Sequence, residues 1–337
     1  MDDTRIKKIR IDRPLLIEQP TDLFYLTGLE LSKGRLLIEP SQATLFVDGR
    51  YLEQARKKAP CRVDHWDRFQ QVQVQEIAFD SAFVTYEGVL SLQKQMPRVH
   101  WIAKPKPIRD LRAIKEEKEI AALQKAAHLT WQGYKHAMGL LKEGITEAEV
   151  ALEFEFYCRK HGASALSFSP TVAFGENSAY PHYRAGQTKL KKGDVVLMDV
   201  GAVVDHYAGD MTRIAYFGER DPQIVHFEKL VAEAKQKAIQ AIRPGVRFGL
   251  LDQIVQDTFA AANVKQLYIH ALGHGVGLEV HEFPRIRFDG EDRDVLIQAG
   301  MVITIEPGLY QPGVGGVRLE DTLVVTETGV VNFFDGR

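Results

Sequence analysis

One stretch of this chain occurs twice in outline. Gly193-Asp194-Val195-Val196-Leu197-Met198-Asp199-Val200-Gly201 is echoed by Gly300-Met301-Val302-Ile303-Thr304-Ile305-Glu306-Pro307-Gly308. Each copy is a glycine turn, an apolar run of strand composition, an acid six residues after the first glycine, and a second glycine. A further acid follows each: Asp210 lies eleven residues beyond Asp199, and Glu320 fourteen beyond Glu306. Turn–strand units resemble one another by chance, but chance explains the matched acids poorly. The repeat calls for a fold with two like halves, each ending buried strands in carboxylates.

A pair of helices precedes each copy. Ile120, Leu123, Ala127, Trp131, Tyr134 and Met138 mark one face of a long helix. Thr146-Glu147-Ala148-Glu149 reads as a capping box that opens a second helix, reaching about His161 with Gly162 as its stop. Two more helices are predicted after 222 and after 248. Ahead of all this, Leu15-Leu16-Ile17, Leu36-Leu37-Ile38, Thr44 to Val47 and Ala82 to Tyr86 read as strands, with helices over Tyr51 to Lys58 and Phe69 to Ile77. Alternating strands and helices predict a small α/β domain. Lys104-Pro105-Lys106-Pro107 is stiff and polar, the composition of a linker. A chain of 337 residues exceeds what one core usually supports. The expected division is 1–106 and 107–337, and the class is α+β.

A carboxylate at the end of an apolar strand is costly unless a cation or several donors compensate it. One such acid could be a salt-bridged core residue. Four acids in two matched hairpins would repel one another strongly, and a pair of divalent metal ions resolves the conflict. A fifth ligand is available in Gly273-His274-Gly275-Val276-Gly277-Leu278-Glu279-Val280-His281-Glu282. Its glycines disfavour a zinc-protease helix by roughly 1 kcal/mol each. They let the backbone bring His274 close to a sheet as a lone nitrogen ligand, with His281 aimed at whatever binds there.

Charge and cysteine content narrow the class. Forty-three Lys and Arg stand against 45 Asp and Glu. That near-balance argues against nucleic-acid or membrane-surface partners, which need a basic excess or patch. Cys61 and Cys158 lie far apart with no C-x-x-C spacing, so neither a disulfide framework nor a thiolate metal site is indicated. The start, Met-Asp-Asp-Thr-Arg, has no apolar signal region, and no apolar run approaches membrane-spanning length. The expected compartment is the cytoplasm.

In order and spacing, Asp199, Asp210, His274, Glu306 and Glu320 resemble the ligand set of the M24 metallopeptidases, the "pita-bread" family of methionine aminopeptidase, aminopeptidase P and prolidase. The surrounding segments match too, from Leu197 to Ala202, Gly209 to Arg213, His270 to Glu282, Thr304 to Gly308 and Arg318 to Asp321. Tyr25-Leu26-Thr27-Gly28, Asp48-Gly49-Arg50-Tyr51, Leu111 to Lys115 and Pro181-His182 look like the proline-specific branch, which carries a creatinase-like N-terminal domain.

The resemblance implies a pseudo-two-fold pita-bread catalytic domain and an exopeptidase that cleaves the Xaa-Pro bond of peptides with proline second. It implies that Asp199 holds one metal, that His274 and Glu306 hold the other, and that Asp210 and Glu320 bridge both. Manganese is the expected metal, with cobalt, iron and zinc also suited to such a donor set. By the same analogy Glu306 shuttles the proton of the attacking water, His281 donates to the developing oxyanion, and His182 contacts the substrate near the scissile bond. His270 lines the proline pocket, Arg318 supports Glu306 or Glu320, and Arg285 binds a substrate carboxylate. A homodimer is implied, in which one subunit's N-terminal domain walls the other's active site. The motifs lean toward Xaa-Pro aminopeptidase, with Xaa-Pro dipeptidase (prolidase) the close alternative. A non-catalytic binding module on the same fold, or a metal-free creatinase-like amidinohydrolase, is disfavoured by the intact ligand set. Three departures stand out: a short N-terminus, Gly209 where many relatives carry serine, and Asp205-His206-Tyr207 in the first hairpin.

Overall fold

The computed structural model describes residues 4–336. The chain divides into two compact units, with the division after Arg112. No described helix is long and apolar enough to cross a membrane.

The first unit is built on one six-stranded mixed sheet. In spatial order its strands are Arg62–His65, Ala43–Val47, Arg35–Ile38, Leu15–Ile17, Glu76–Phe79 and His100–Ala103. The Leu15–Ile17 strand runs antiparallel to Arg35–Ile38 and parallel to Glu76–Phe79, and all three of its residues are buried. Leu16, Leu37, Phe46, Phe69, Ile77 and Phe79 pack together as part of its core. The Lys104–Pro107 stretch is tied to this unit, with the Lys104 amide donating to Phe79 O and the Lys106 amide to Asp80 Oδ1.

Two expected elements of this unit are different in the structure. The helix predicted over Phe69 to Ile77 is instead a 3-10 turn, Trp66–Gln71, followed by extended chain into the Glu76–Phe79 strand. Gln71-Val72-Gln73-Val74-Gln75 alternates with period two, and β-branched residues favour extended backbone. The strand predicted over Ala82 to Tyr86 is a turn and a helix start. Asp80 Oδ1 accepts from the Ala82 amide, and Thr85 Oγ1 caps the Tyr86–Gln95 helix by accepting from the Gly88 amide at 3.1 Å. Short polar side chains bonding nearby backbone outweigh the apolar run here.

The second unit repeats one plan. The helices Glu117–Gly139 and Glu147–Lys160 precede the hairpin of strands Val195–Val200 and Met211–Tyr216. The helices Pro222–Ala241 and Phe248–Ala261 precede the hairpin of Val302–Ile305 and Asp321–Val325. The Thr146–Glu149 capping box forms, with Thr146 Oγ1 accepting from the Glu149 amide and Glu149 Oε2 from the Thr146 amide. Each hairpin gains a third strand on the same side. Thr171–Phe174 pairs with the first, and Gly273–Gly275 with the second. Each half has its own apolar core, one around Phe154, Val172 and Met198, the other around Val231, Phe259 and Ile303.

The departures at Gly209 and Asp205-His206-Tyr207 have local causes. A side chain at Gly209 would strike Thr130 Oγ1 and the Ala126 carbonyl on the long helix. Thr130 Oγ1 accepts from the Ala202 amide at 3.0 Å, so helix and hairpin meet at a contact that serine would push apart. Asp205 and His206 both have positive φ, at the tip between Ala202–Val204 and Tyr207–Ala208. That is the backbone of a tight two-residue hairpin. Tyr207 closes it from inside, donating its hydroxyl to the buried Glu119 at 2.9 Å.

Candidate metal centre

The acids stand at equivalent points of the two hairpins. Asp199 is the penultimate residue of its strand, and Glu306 follows directly on Val302–Ile305. Asp210 and Glu320 each sit one residue before the returning strand. The hairpins also reach across to each other. Thr212, two residues after Asp210, donates its hydroxyl to Glu320 Oε2 at 2.7 Å, and Thr322, two after Glu320, donates to Asp210 O at 2.9 Å.

His274 enters from the third strand of the second half. Side chains at Gly273 and Gly275 would collide with the Thr304 and Phe283 carbonyls, so only glycines let the imidazole's strand run this close to its neighbours. His274 Nε2 lies 3.4 Å from Glu306 Oε1 and 3.6 Å from Asp210 Oδ2. Donor atoms of Asp210, His274 and Glu320 all lie within 4.8 Å of one another. Register assigns His274 a counterpart. Gly275 pairs with Ile303, and Phe174 pairs with the equivalent Val196, so Ala173 occupies the matching place in the first half.

The electrostatics of this cluster favour a bound cation. Burial, then repulsion from Glu320, raises the Asp210 carboxyl well above its ordinary range, and the same two causes raise Glu306. Glu320 is pushed up to about 8, chiefly by burial and then by Asp199. Burial pulls His274 down to about 3, with the charge of His281 adding to it. The His274 ring is therefore neutral. Its Nδ1 lies 3.1 Å from Gly275 O and carries the proton, which leaves the Nε2 lone pair facing the carboxylates. Asp199 Oδ1 is buried with no hydrogen-bond partner. Lone pair against carboxylate, beside an orphaned buried oxygen, is unfavourable without a positive ion between them. The donor set of four carboxylates and one neutral imidazole fits divalent metal.

Arg318 is the single cation inside this cluster among the described residues, and it is spent on the protein. Its guanidinium donates to Asp199 Oδ2 at 2.6 Å, to Tyr310 OH at 2.8 Å and to Thr212 Oγ1 at 3.1 Å. It thus holds Asp199 directly and reaches Glu320 through Thr212. His270 is likewise engaged at both nitrogens. Nδ1 bonds Ala271 O and Nε2 bonds Tyr310 OH, each at 2.8 Å. Burial lowers its pKa to about 4, so the ring is neutral, Nδ1 donates, and Nε2 accepts from the tyrosine hydroxyl.

His182, His281 and Arg285 are exposed and make no side-chain hydrogen bond or ion pair among the described residues. They are close enough to act on one another. Burial lowers the His281 pKa, and the charges of His182 and Arg285 add to that, while His182 also acts on His270. The His281 ring stands edge-on to His274, with centroids 4.3 Å apart.

Sequence reasoning missed Tyr310 and Thr212, which link Arg318 to His270 and to Glu320. It also missed Lys115, whose buried ammonium donates to Glu282 at 2.7 Å beside His281. Thr212 and Lys115 stand inside the matching segments and Tyr310 two residues beyond one, and that placement was their only signal. Asp321, next to Glu320, faces away from the cluster and pairs with Arg213 and Lys235 at 2.7 and 2.6 Å.

Known proteins share this fold. A Xaa-Pro dipeptidase of Pyrococcus furiosus is 35% identical over 327 residues, covering 95% of this chain and 92% of the relative. The solved prolidase of Pyrococcus horikoshii OT3 superposes with a TM-score of 0.93 at 32% identity, over 99% of this chain and 98% of that one. The X-Pro aminopeptidase of Thermotoga maritima MSB8 superposes with a TM-score of 0.90 at 27% identity, over 98% and 97%. Residues 11–114 match the Creatinase/Prolidase N-terminal domain, and residues 121–327 match metallopeptidase family M24. With its two hairpins, five ligand-type side chains and N-terminal sheet, the chain belongs to metallopeptidase family M24.

Proposed function

We propose that this M24 enzyme is a Xaa-Pro dipeptidase, hydrolysing dipeptides whose second residue is proline. The observation that carries the choice of dipeptides is Arg285. Its guanidinium is exposed and unspent beside His281, where a free proline carboxylate would need a cation. Relatives named Xaa-Pro dipeptidase support the same reading. The sequence motifs leaned toward Xaa-Pro aminopeptidase, and the likeness to the Thermotoga enzyme keeps that as the second reading.

Under this reading Asp199, Asp210, His274, Glu306 and Glu320 hold two divalent ions, with manganese preferred. When bound, such ions supply Lewis-acid polarisation of the scissile carbonyl and an acidified water as nucleophile. Glu306 would take up the proton of that water and pass it to the leaving nitrogen, the acid–base role its place among the ligands permits. Proline's nitrogen carries no hydrogen, so the site recognises a rigid ring rather than an N–H donor. His281 donates to the developing oxyanion, and His182 holds the substrate near the scissile bond. Arg318 keeps Asp199 aimed, with Tyr310 joining it to His270 at the edge of the proline site. The enzyme acts as a homodimer.

The test is a hydrolysis panel of Xaa-Pro dipeptides and Xaa-Pro-Yaa tripeptides with added manganese. Dipeptides are expected to be cleaved faster. Arg285→Ala is expected to lower their kcat/KM about 10- to 100-fold, the worth of one charged hydrogen bond, and to leave tripeptides unaffected. Equal rates for both classes, insensitive to Arg285, would hand the enzyme to the aminopeptidase reading. A monomeric mass in solution with undiminished activity would remove the dimer.

A further inference from the structure

The His182 ring hydrogen-bonds nothing among the described residues, so its position depends wholly on its loop. That loop, between the Thr171–Phe174 and Val195–Val200 strands, carries little regular structure beyond a 3-10 turn at Gly175–Ala179. What holds it is a single buried carboxylate. Glu147 is fully buried at the first turn of the Glu147–Lys160 helix. Its Oε1 accepts from the Phe174 amide at 2.9 Å and from Asn177 Nδ2 at 2.9 Å. Its Oε2 accepts from Tyr183 OH at 2.8 Å and from the Gly186 amide at 3.1 Å.

These four donors bracket His182, two before it in sequence and two after. Asn177 Nδ2 also donates to Tyr183 OH at 2.9 Å, which closes a ring of side chains around the carboxylate. The helix itself has no need of Glu147, because Thr146 and Glu149 already complete its capping box. Four donors and the positive end of a helix face this one buried carboxylate.

We infer that Glu147 is a positioning residue for the Xaa-Pro reaction, fixing the His182 loop through both of its flanks. The inference rests on the role of His182 proposed above. It follows from geometry alone that glutamine cannot replace it. Whichever way an amide is turned, its NH2 faces a backbone N–H that needs an acceptor, that of Phe174 on one side or of Gly186 on the other. Aspartate keeps both acceptor oxygens and the charge, and so retains part of the function.

A double-mutant cycle on manganese-loaded enzyme tests this, with hydrogen exchange of the 174–188 amides and metal content as separate readouts. Glu147→Gln is expected to lower kcat/KM for Xaa-Pro dipeptides by up to about 10²-fold, the cost of a misplacement on the order of 1 Å. Exchange over 174–188 is expected to quicken while metal content stays unchanged, and Glu147→Asp is expected to recover part of the rate. In the His182→Ala background Glu147→Gln is expected to add little. Tyr183→Phe removes one of the four donors and is expected to show a smaller effect of the same kind, which keeps the test open if Glu147→Gln does not fold. Independent, multiplying losses in the double variant would overturn the inference and leave His182 in its role. No loss on His182→Ala would overturn the role of His182 and this inference with it.

Discussion

Thr212 Oγ1 donates to Glu320 Oε2 across the line between the two halves of the catalytic unit, at 2.7 Å. The same oxygen accepts from Arg318 Nε at 3.1 Å. One small hydroxyl thus settles a carboxylate and a guanidinium together, and neither is exposed to water that could replace it. Thr212→Val keeps the shape and removes both bonds. The expected cost is about 1–3 kcal/mol of stability in urea unfolding, the penalty for stranding buried polar groups. Metal affinity is expected to fall ~10- to 100-fold, measured by chelator competition. Unchanged affinity would show that the threonine does not orient the acids.

Metal removal has a pH signature whose sign is fixed by the acids. Asp210, Glu306 and Glu320 hold protons more tightly in the folded protein than in the unfolded chain. In stripped protein that contribution is fully present below the unfolded-chain carboxylate pKa of about 4. It is lost as pH rises through the folded values, which reach about 8 for Glu320. Over this window the unfolded state binds fewer protons, so stability falls with rising pH. Cations among the carboxylates cancel the penalty. The gap in Tm between loaded and stripped protein is expected to widen from about pH 5 to about pH 8. A gap that stays constant in calorimetry would contradict the cluster's electrostatics.

His281 separates ligation from catalysis. It touches His274 ring to ring, yet it stands exposed and comes from the loop after the Gly273–Gly275 strand rather than from either hairpin. His281→Ala is expected to lower kcat by about 10²-fold or more, with metal content near normal. Metal loss in the purified variant would recast it as a ligand.

The buried Lys115–Glu282 pair braces the chain next to His281. Lys115→Met is expected to cost about 3–5 kcal/mol, because it leaves a buried carboxylate without its cation. The double variant Lys115→Met with Glu282→Leu is expected to regain much of that stability. Equal instability in single and double variants would show that the ion pair is not what matters there.

The sequence made some of this legible and hid the rest for definite reasons. Helix starts such as Thr146–Glu149 could be read because a cap and its partner lie within one turn. The four acids could be read because the chain presents them twice. Glu147 sits inside the capping box, yet its partners, Phe174, Asn177, Tyr183 and Gly186, lie well downstream. Tyr310 and Thr212 gain their meaning from Arg318, which the fold brings to them. The 69–77 segment differs for another reason: between Phe69 and Ile77 its Gln-Val alternation has the period of extended chain, not of a helix. The structure buries both of those, but from a turn and a strand rather than from one helix face.

The place of His274 is filled in the other half by Ala173. A rotation that exchanges the hairpins superposes carboxylate on carboxylate, but it lays an imidazole on a methyl group. The centre is thus handed: its two ends differ in basicity and in softness although the frame around them is duplicated. A peptide entering this site meets a direction already inscribed in the protein, and the side chain at one strand position contributes the imidazole end of that polarity.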